Sequence, residues 1–158
     1  MSGKRSERRA TTAAERRSRP TSSPKKAPWF RTEVILVEDD RALADVIAFA
    51  IESTGRTVMV YHDGVTALRD LVALPDIGVR RLLLLSVDVG GIDGHTLHER
   101  LQSLRPDSFL VAFMSARASE AAQIRALRAG AVDYLVKPVS IHVLIEKVRA
   151  WLALIAAE

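Results

Sequence analysis

A chain of 158 residues that is 48% apolar is long enough for one globular domain with a sizeable core. Without cysteine it has no disulfide framework, thiolate metal site or cysteine nucleophile, and no apolar run reaches the roughly 18 residues needed to cross a bilayer. The net charge of +4 is unevenly spread: residues 1–31 hold ten Lys or Arg against Glu7 and Glu15, a net of +8, while residues 32–158 hold 13 basic and 17 acidic residues, a net of −4.

The opening stretch, MSGKRSERRATTAAERRSRPTSSPKKAP, has almost no large apolar side chains to offset the entropy of ordering. A disordered basic arm is therefore expected over residues 1–31, with Trp29 and Phe30 placed to pack onto the domain edge. It has no apolar segment of the secretory type. Such an arm offers nucleic acid or an anionic membrane a non-specific, salt-sensitive contact, and the charge excess belongs to it rather than to a nucleic-acid-binding fold.

From Glu33 onward strand-like and helix-like patterns alternate. VILV (34–37) is a β-branched run, followed by apolar positions Leu43, Val46, Ile47, Ala50 and Ile51 at helical spacing, closed by Gly55. TVMVY (57–61) predicts the second strand. Asp63 caps a helix that stops before Pro75. RLLLLS (81–86), FLVAFMS (109–115) and VDYLVK (132–137) predict three more strands, alternating with helices over HTLHERLQSL and ASEAAQIRALRAG and a last helix from a Ser140 cap to about Ala157. Strands without polar alternation need cover on both faces, as in a parallel sheet. The expected fold is α/β, a doubly wound five-stranded parallel sheet built as (βα)5 over residues 32–158, with functional residues at the carboxyl ends of the strands.

Several polar features fall at those ends: Glu38 and Asp39 after the first strand, Ser86 and Asp88 at the third, Ser115 on the fourth and Lys137 on the fifth. Adjacent carboxylates suit a hard cation such as Mg²⁺, and a lysine with a hydroxyl suits phosphoryl oxygens. The segments VILVEDDRAL, SVDVGGIDG, FMSA and AGAVDYLVKP, in this order and spacing, resemble the receiver domain of bacterial two-component response regulators over roughly Glu33 to Leu154. The resemblance implies the flavodoxin-like receiver fold with strand order 2-1-3-4-5. It places the acidic metal-binding pair on Glu38 and Asp39, with Asp39 the direct ligand, the phosphoryl-binding groups on Ser115 and Lys137, and the rotating aromatic of the switch on Tyr134.

The family's phosphoacceptor is an aspartate eight residues before the glycine of the Asp-Gly pair, and here that position is Ser86. Where the family commonly has proline, four residues later, this chain has Gly90. A serine hydroxyl must lose a proton and would give a stable ester, unlike the labile acyl phosphate of aspartate. No base stands beside Ser86 in the sequence. Asp88 is either a third Mg²⁺ ligand with Glu38 and Asp39, an off-register acceptor, or a solvated loop residue. Glu38 and Asp39 also have a plainer reading, as carboxylates favoured by a helix N-terminus.

His95 and His98, three apart without a third ligand, read as a solvated helix face, and Asp93-Gly94 as a turn. On the last helix Ile141, Leu144, Val148, Leu152 and Ile155 form a core stripe that Val143, Trp151 and Leu154 widen, which suits a partner, a homodimer contact or simple overfill. The expected function is a stand-alone, atypical receiver in a bacterial cytoplasm, with no output domain. It would meet a histidine kinase, a phosphotransfer protein or a downstream regulator through its fourth helix, fifth strand and fifth helix, and would not be an enzyme. A phosphoacceptor working with Mg²⁺ at Asp88 or Ser86, and an arm-mediated nucleic-acid or membrane binder, are the alternatives.

Overall fold

A computed structural model describes residues 32–158; the arm and its Trp29 and Phe30 lie outside the described residues. The elements are β1 (Val34–Val37), α1 (Arg41–Glu52), β2 (Val58–Tyr61), α2 (Gly64–Ala73), β3 (Arg81–Ser86), α3 (Gly94–Leu104), β4 (Phe109–Ser115), α4 (Glu120–Arg128), β5 (Asp133–Val136) and α5 (Ile141–Ala156). All strand pairs are parallel, in the order β2-β1-β3-β4-β5. This is the (βα)5 arrangement expected from the sequence.

The leucine run of β3 is explained by its place in the centre of that sheet. Leu82 and Leu84 join Leu36, Ile47, Leu144 and Trp151 in one core layer, while Leu83 and Leu85 join Ile35, Leu71, Leu97 and Phe113 in the other. Successive side chains of a strand point to opposite faces, so a strand covered on both sides has no polar alternation to show. Each fully buried leucine contributes about 1.5–3 kcal/mol relative to exposure.

Every helix begins just beyond the carboxyl end of the preceding strand with a side-chain cap. Asp40, Asp63, Asp93, Ser119 and Ser140 accept hydrogen bonds from the backbone N–H of Leu43, Thr66, Thr96, Ala122 and Val143. These caps satisfy donors that the helix itself leaves orphaned, and they fix the path of the loops around the site. Asp93-Gly94 is thus more than a turn. Asp93 caps α3, and a Cβ on Gly94 would fall on the Ser86 carbonyl oxygen and within 2.9 Å of Val87 Cα. Glycine lets α3 start directly against the end of β3.

Two further expectations change. His98 is buried in α3, edge-on to Phe113 at 5.3 Å between ring centroids, and His95 lies 4.9 Å from the same ring. The pair packs α3 onto β4 and does not form a solvated face. Trp151 belongs to the core layer of α1 and α5, so only Val143 and Leu154 of the wider α5 stripe face solvent.

Candidate functional site

The strand ends meet around Glu38. It follows β1, which is hydrogen-bonded to both β2 and β3, and its carboxylate is buried between the strand ends and the Asp40 cap of α1. One oxygen, Oε1, accepts the Asp40 N–H at 3.1 Å. The other, Oε2, takes the Lys137 ammonium at 2.7 Å and a hydrogen bond from the Ser86 hydroxyl. The Glu38 side chain is 1% exposed and that of Lys137 22%. Burial pushes the Glu38 carboxyl upward, but the hydrogen bonds from Lys137, Ser86 and Asp40, with the lysine charge, more than offset it and hold the group below its ordinary value of 4.5. Glu38 is an ionised, fully engaged carboxylate, and the helix-terminus role belongs to its neighbour Asp40.

The serine in β3 thus has a partner that the sequence did not reveal. Ser86 is separated from Glu38 by 48 residues, but β1 and β3 are adjacent strands in register from Val34↔Leu82 to Val37↔Leu85, which brings the two strand ends together. A carboxylate stands beside the hydroxyl after all. With a cation already on the same oxygen, it is a weak base.

Ser115 is buried at the end of β4 and accepts the Arg117 N–H at 3.1 Å. The Arg117 carbonyl accepts the Tyr134 hydroxyl at 2.6 Å, and Arg117 also reaches Asp88 across the mouth of the site at 3.5 Å. Tyr134 is accordingly turned inward and buried. Arg117 is a connecting residue that sequence reasoning missed, because its backbone and guanidinium act on different elements and no motif marks it. His62, whose Nδ1 lies 2.9 Å from the Glu38 carbonyl oxygen, was missed as well, since no motif marks it.

A family model for the response regulator receiver domain matches residues 34–149. The chain belongs to the receiver family. Among curated proteins this receiver resembles the transcriptional regulatory protein CseB of Streptomyces avermitilis, 36% identical over 121 residues, covering 76% of this chain and 48% of CseB. It also resembles the sensory transduction protein RegX3 of Mycobacterium tuberculosis, 34% identical over 119 residues, covering 75% and 50%. The chain therefore spans about half the length of these relatives. Among solved structures it is similar to the Francisella response regulator 1452 receiver domain, at 28% identity and a TM-score of 0.68, covering 76% of this chain and 95% of that one. A CheY-like receiver domain protein from Methanospirillum hungatei JF-1 aligns at 25% identity with a TM-score of 0.67, covering 77% and 94%.

Receivers are signalling modules, and the Mg²⁺ that the resemblance implies can be set against the residues present. Among the described residues no group of three His, Cys, Asp or Glu side chains is gathered to hold a metal. Glu38 is committed to Lys137 and Ser86, Asp88 points to Arg117, and Asp39 is exposed. In this arrangement the three carboxylates are not gathered on one point, and Glu38 would have to leave Lys137 or Ser86 to join Asp39 on a cation. No helix among the described residues is long and apolar enough to cross a membrane.

Proposed function

We propose that this receiver works as an atypical signalling module that acts by protein–protein contact without aspartyl phosphorylation. The observation that carries the reading is the shared Glu38 oxygen. Where a phosphorylatable receiver has its acceptor carboxylate, this chain has the Ser86 hydroxyl, donating to Glu38, and the Lys137 charge is satisfied by Glu38 instead. The cation that would meet an incoming phosphoryl group is neutralised within the fold, and Ser86 is buried beyond easy reach of a donor. Control then falls to the partner, to a metal, or to the basic arm.

The face of α4, β5 and α5 suits a protein partner, because Ile124 and Leu127, Val136, and Val143 are exposed on those three elements. The partner class is a histidine kinase, a phosphotransfer protein or a downstream regulator in a bacterial cytoplasm. The same α5 surface would serve a homodimer, and sedimentation across a concentration series distinguishes self-association from partner binding. A nucleic-acid or membrane role would rest on the arm alone.

A second reading has one observation in its favour. The Asp88 side chain, two residues beyond Ser86, is 57% exposed, so a phosphodonor can approach it. Incubation of the chain with a small acyl phosphate and Mg²⁺, followed by intact mass measurement, tests both readings. An unchanged mass is expected. A gain of one phosphate overturns the first reading, and fragmentation then assigns it to Asp88 or Ser86.

A further inference from the structure

At the edge of the sheet opposite the Glu38 site, a groove of about 590 Å³ opens between the end of α5 and the loop before β3. The buried side chains of Leu152 and Ile155 line it, with Ala153 beside them; Ile77 and Val79 face them from the loop, and Val79 is 57% exposed. Its volume falls in the range of clefts that take a compact apolar group. The charges around it are largely spent on one another: Arg56 pairs with Glu33 at 2.8 Å, and Arg80 pairs with Glu158. What the groove offers an occupant is therefore apolar contact rather than a net charge.

Thr32, the first described residue, lines the same groove. The chain thus enters the domain there. Apart from Met1, the large apolar side chains of residues 1–31 are Trp29 and Phe30, immediately before that entry. Three residues of extended chain reach about 10 Å, enough to bring Trp29 into a groove that Thr32 itself lines. An indole carries one of the largest apolar surfaces of any side chain, with a single N–H to satisfy.

We propose that Trp29 of the same chain seats in this groove, with Phe30 against its edge, and that the pair anchors the root of the basic arm to the end of α5. The arm is then held at a defined place on the molecule, at the edge of the sheet away from Glu38 and Lys137. This inference does not depend on whether the Glu38 site accepts phosphate.

The test uses the full chain labelled with fluorotryptophan, which carries two reporters, Trp29 and Trp151. Trp29→Phe assigns their resonances. Trp151 is buried and serves as an internal control for folding. The expected result is a solvent-isotope shift at Trp29 several-fold smaller than that of free fluorotryptophan. Ala153→Arg, at an exposed position on one wall, or Val79→Arg, on the other, should raise it to the free value while the Trp151 resonance stays in place. A full solvent shift in the unaltered chain overturns the proposal. So does protection that survives in whichever of the two variants retains the Trp151 resonance, or protection that disappears on dilution, which would put a second copy's tryptophan in the groove.

Discussion

Glu38 accepts from three donors with its two oxygens, and the physics of the site follows from removing any of them. Lys137→Met leaves an ionised carboxylate buried beside a hydroxyl, and the loss of one member of a buried pair costs roughly 3–5 kcal/mol. Urea denaturation at neutral pH should show a loss of that order, and Glu38→Gln in the same chain should recover most of it. The pH dependence gives a second signature. In the unaltered protein the folded Glu38 value lies below 4.5, so its contribution is fully present above that pH and is lost as pH falls through the lower folded value. Without Lys137 burial prevails, the folded value rises, and the sign reverses: the variant's deficit should narrow as pH falls from 7 toward 4.5.

Ser86→Asp asks the complementary question. The new carboxylate would face Glu38 across the oxygen that now takes the Ser86 proton, with Lys137 as the single cation between two acids. The variant should melt below the parent in chelator and recover with millimolar Mg²⁺, since a ligand that binds the folded state stabilises it. With an acyl phosphate and Mg²⁺ it should gain the mass of one phosphate while the parent does not. Phosphoryl transfer asks the protein mainly for positioning and charge neutralisation, and Ser115 and Lys137 are already at the strand ends. A variant that recovers with Mg²⁺ yet stays unmodified would show that the β3–α3 loop, with Gly90 in place of proline, has drifted as well.

At the scale of elements, the central position of β3 makes it the strand least tolerant of charge. Leu84 pairs in register with Leu36 and Ala112 and is fully buried. Leu84→Asp should cost at least about 4 kcal/mol, the range reserved for an unpaired buried charge. Loss of the cooperative thermal transition would register it, and near-normal stability would contradict the central placement. The α3–β4 contact carries a milder, pH-dependent load. Burial, helped by the neighbouring His95, holds His98 below its ordinary 6.5, so the unfolded chain binds its proton more readily than the folded one. The His98 contribution is therefore full above pH 6.5 and is lost as pH falls through the lowered folded value. His98→Leu should flatten the melting temperature against pH below 6.5, measured by circular dichroism, while keeping the apolar packing against Phe113.

For the whole molecule, the useful comparison is between two truncations. Removing residues 1–28 takes away basic and small polar residues and should leave the melting temperature within a few degrees, since that stretch has little apolar surface to bury. Removing residues 1–31 also takes away Trp29 and Phe30, and a further drop is expected if the groove beside α5 is their seat. Scanning calorimetry on the three chains separates the cases. A large loss on the first truncation would mean that the arm itself packs.

The sequence by itself determined the architecture and which polar residues stand at the carboxyl ends of its strands. Five apolar runs with helical segments between them dictate a parallel sheet, because strands without polar faces must be covered twice, and such a sheet gathers its polar strand ends on one edge. Glu38, Ser86, Ser115 and Lys137 were legible as polar strand-end residues because each follows or ends an apolar run. Their partners were not. Ser86 and Glu38 are 48 residues apart and Lys137 and Glu38 are 99 apart, so their meeting depends on strand order and register, which no local pattern encodes. The burial of His98 was hidden for a related reason: on an amphipathic helix a histidine looks polar until the aromatic ring beneath it, on another element, is in place. Whether Trp151 faces solvent or core was likewise decided by α1 packing against α5, since the helix's own periodicity leaves the edge of its apolar stripe undefined.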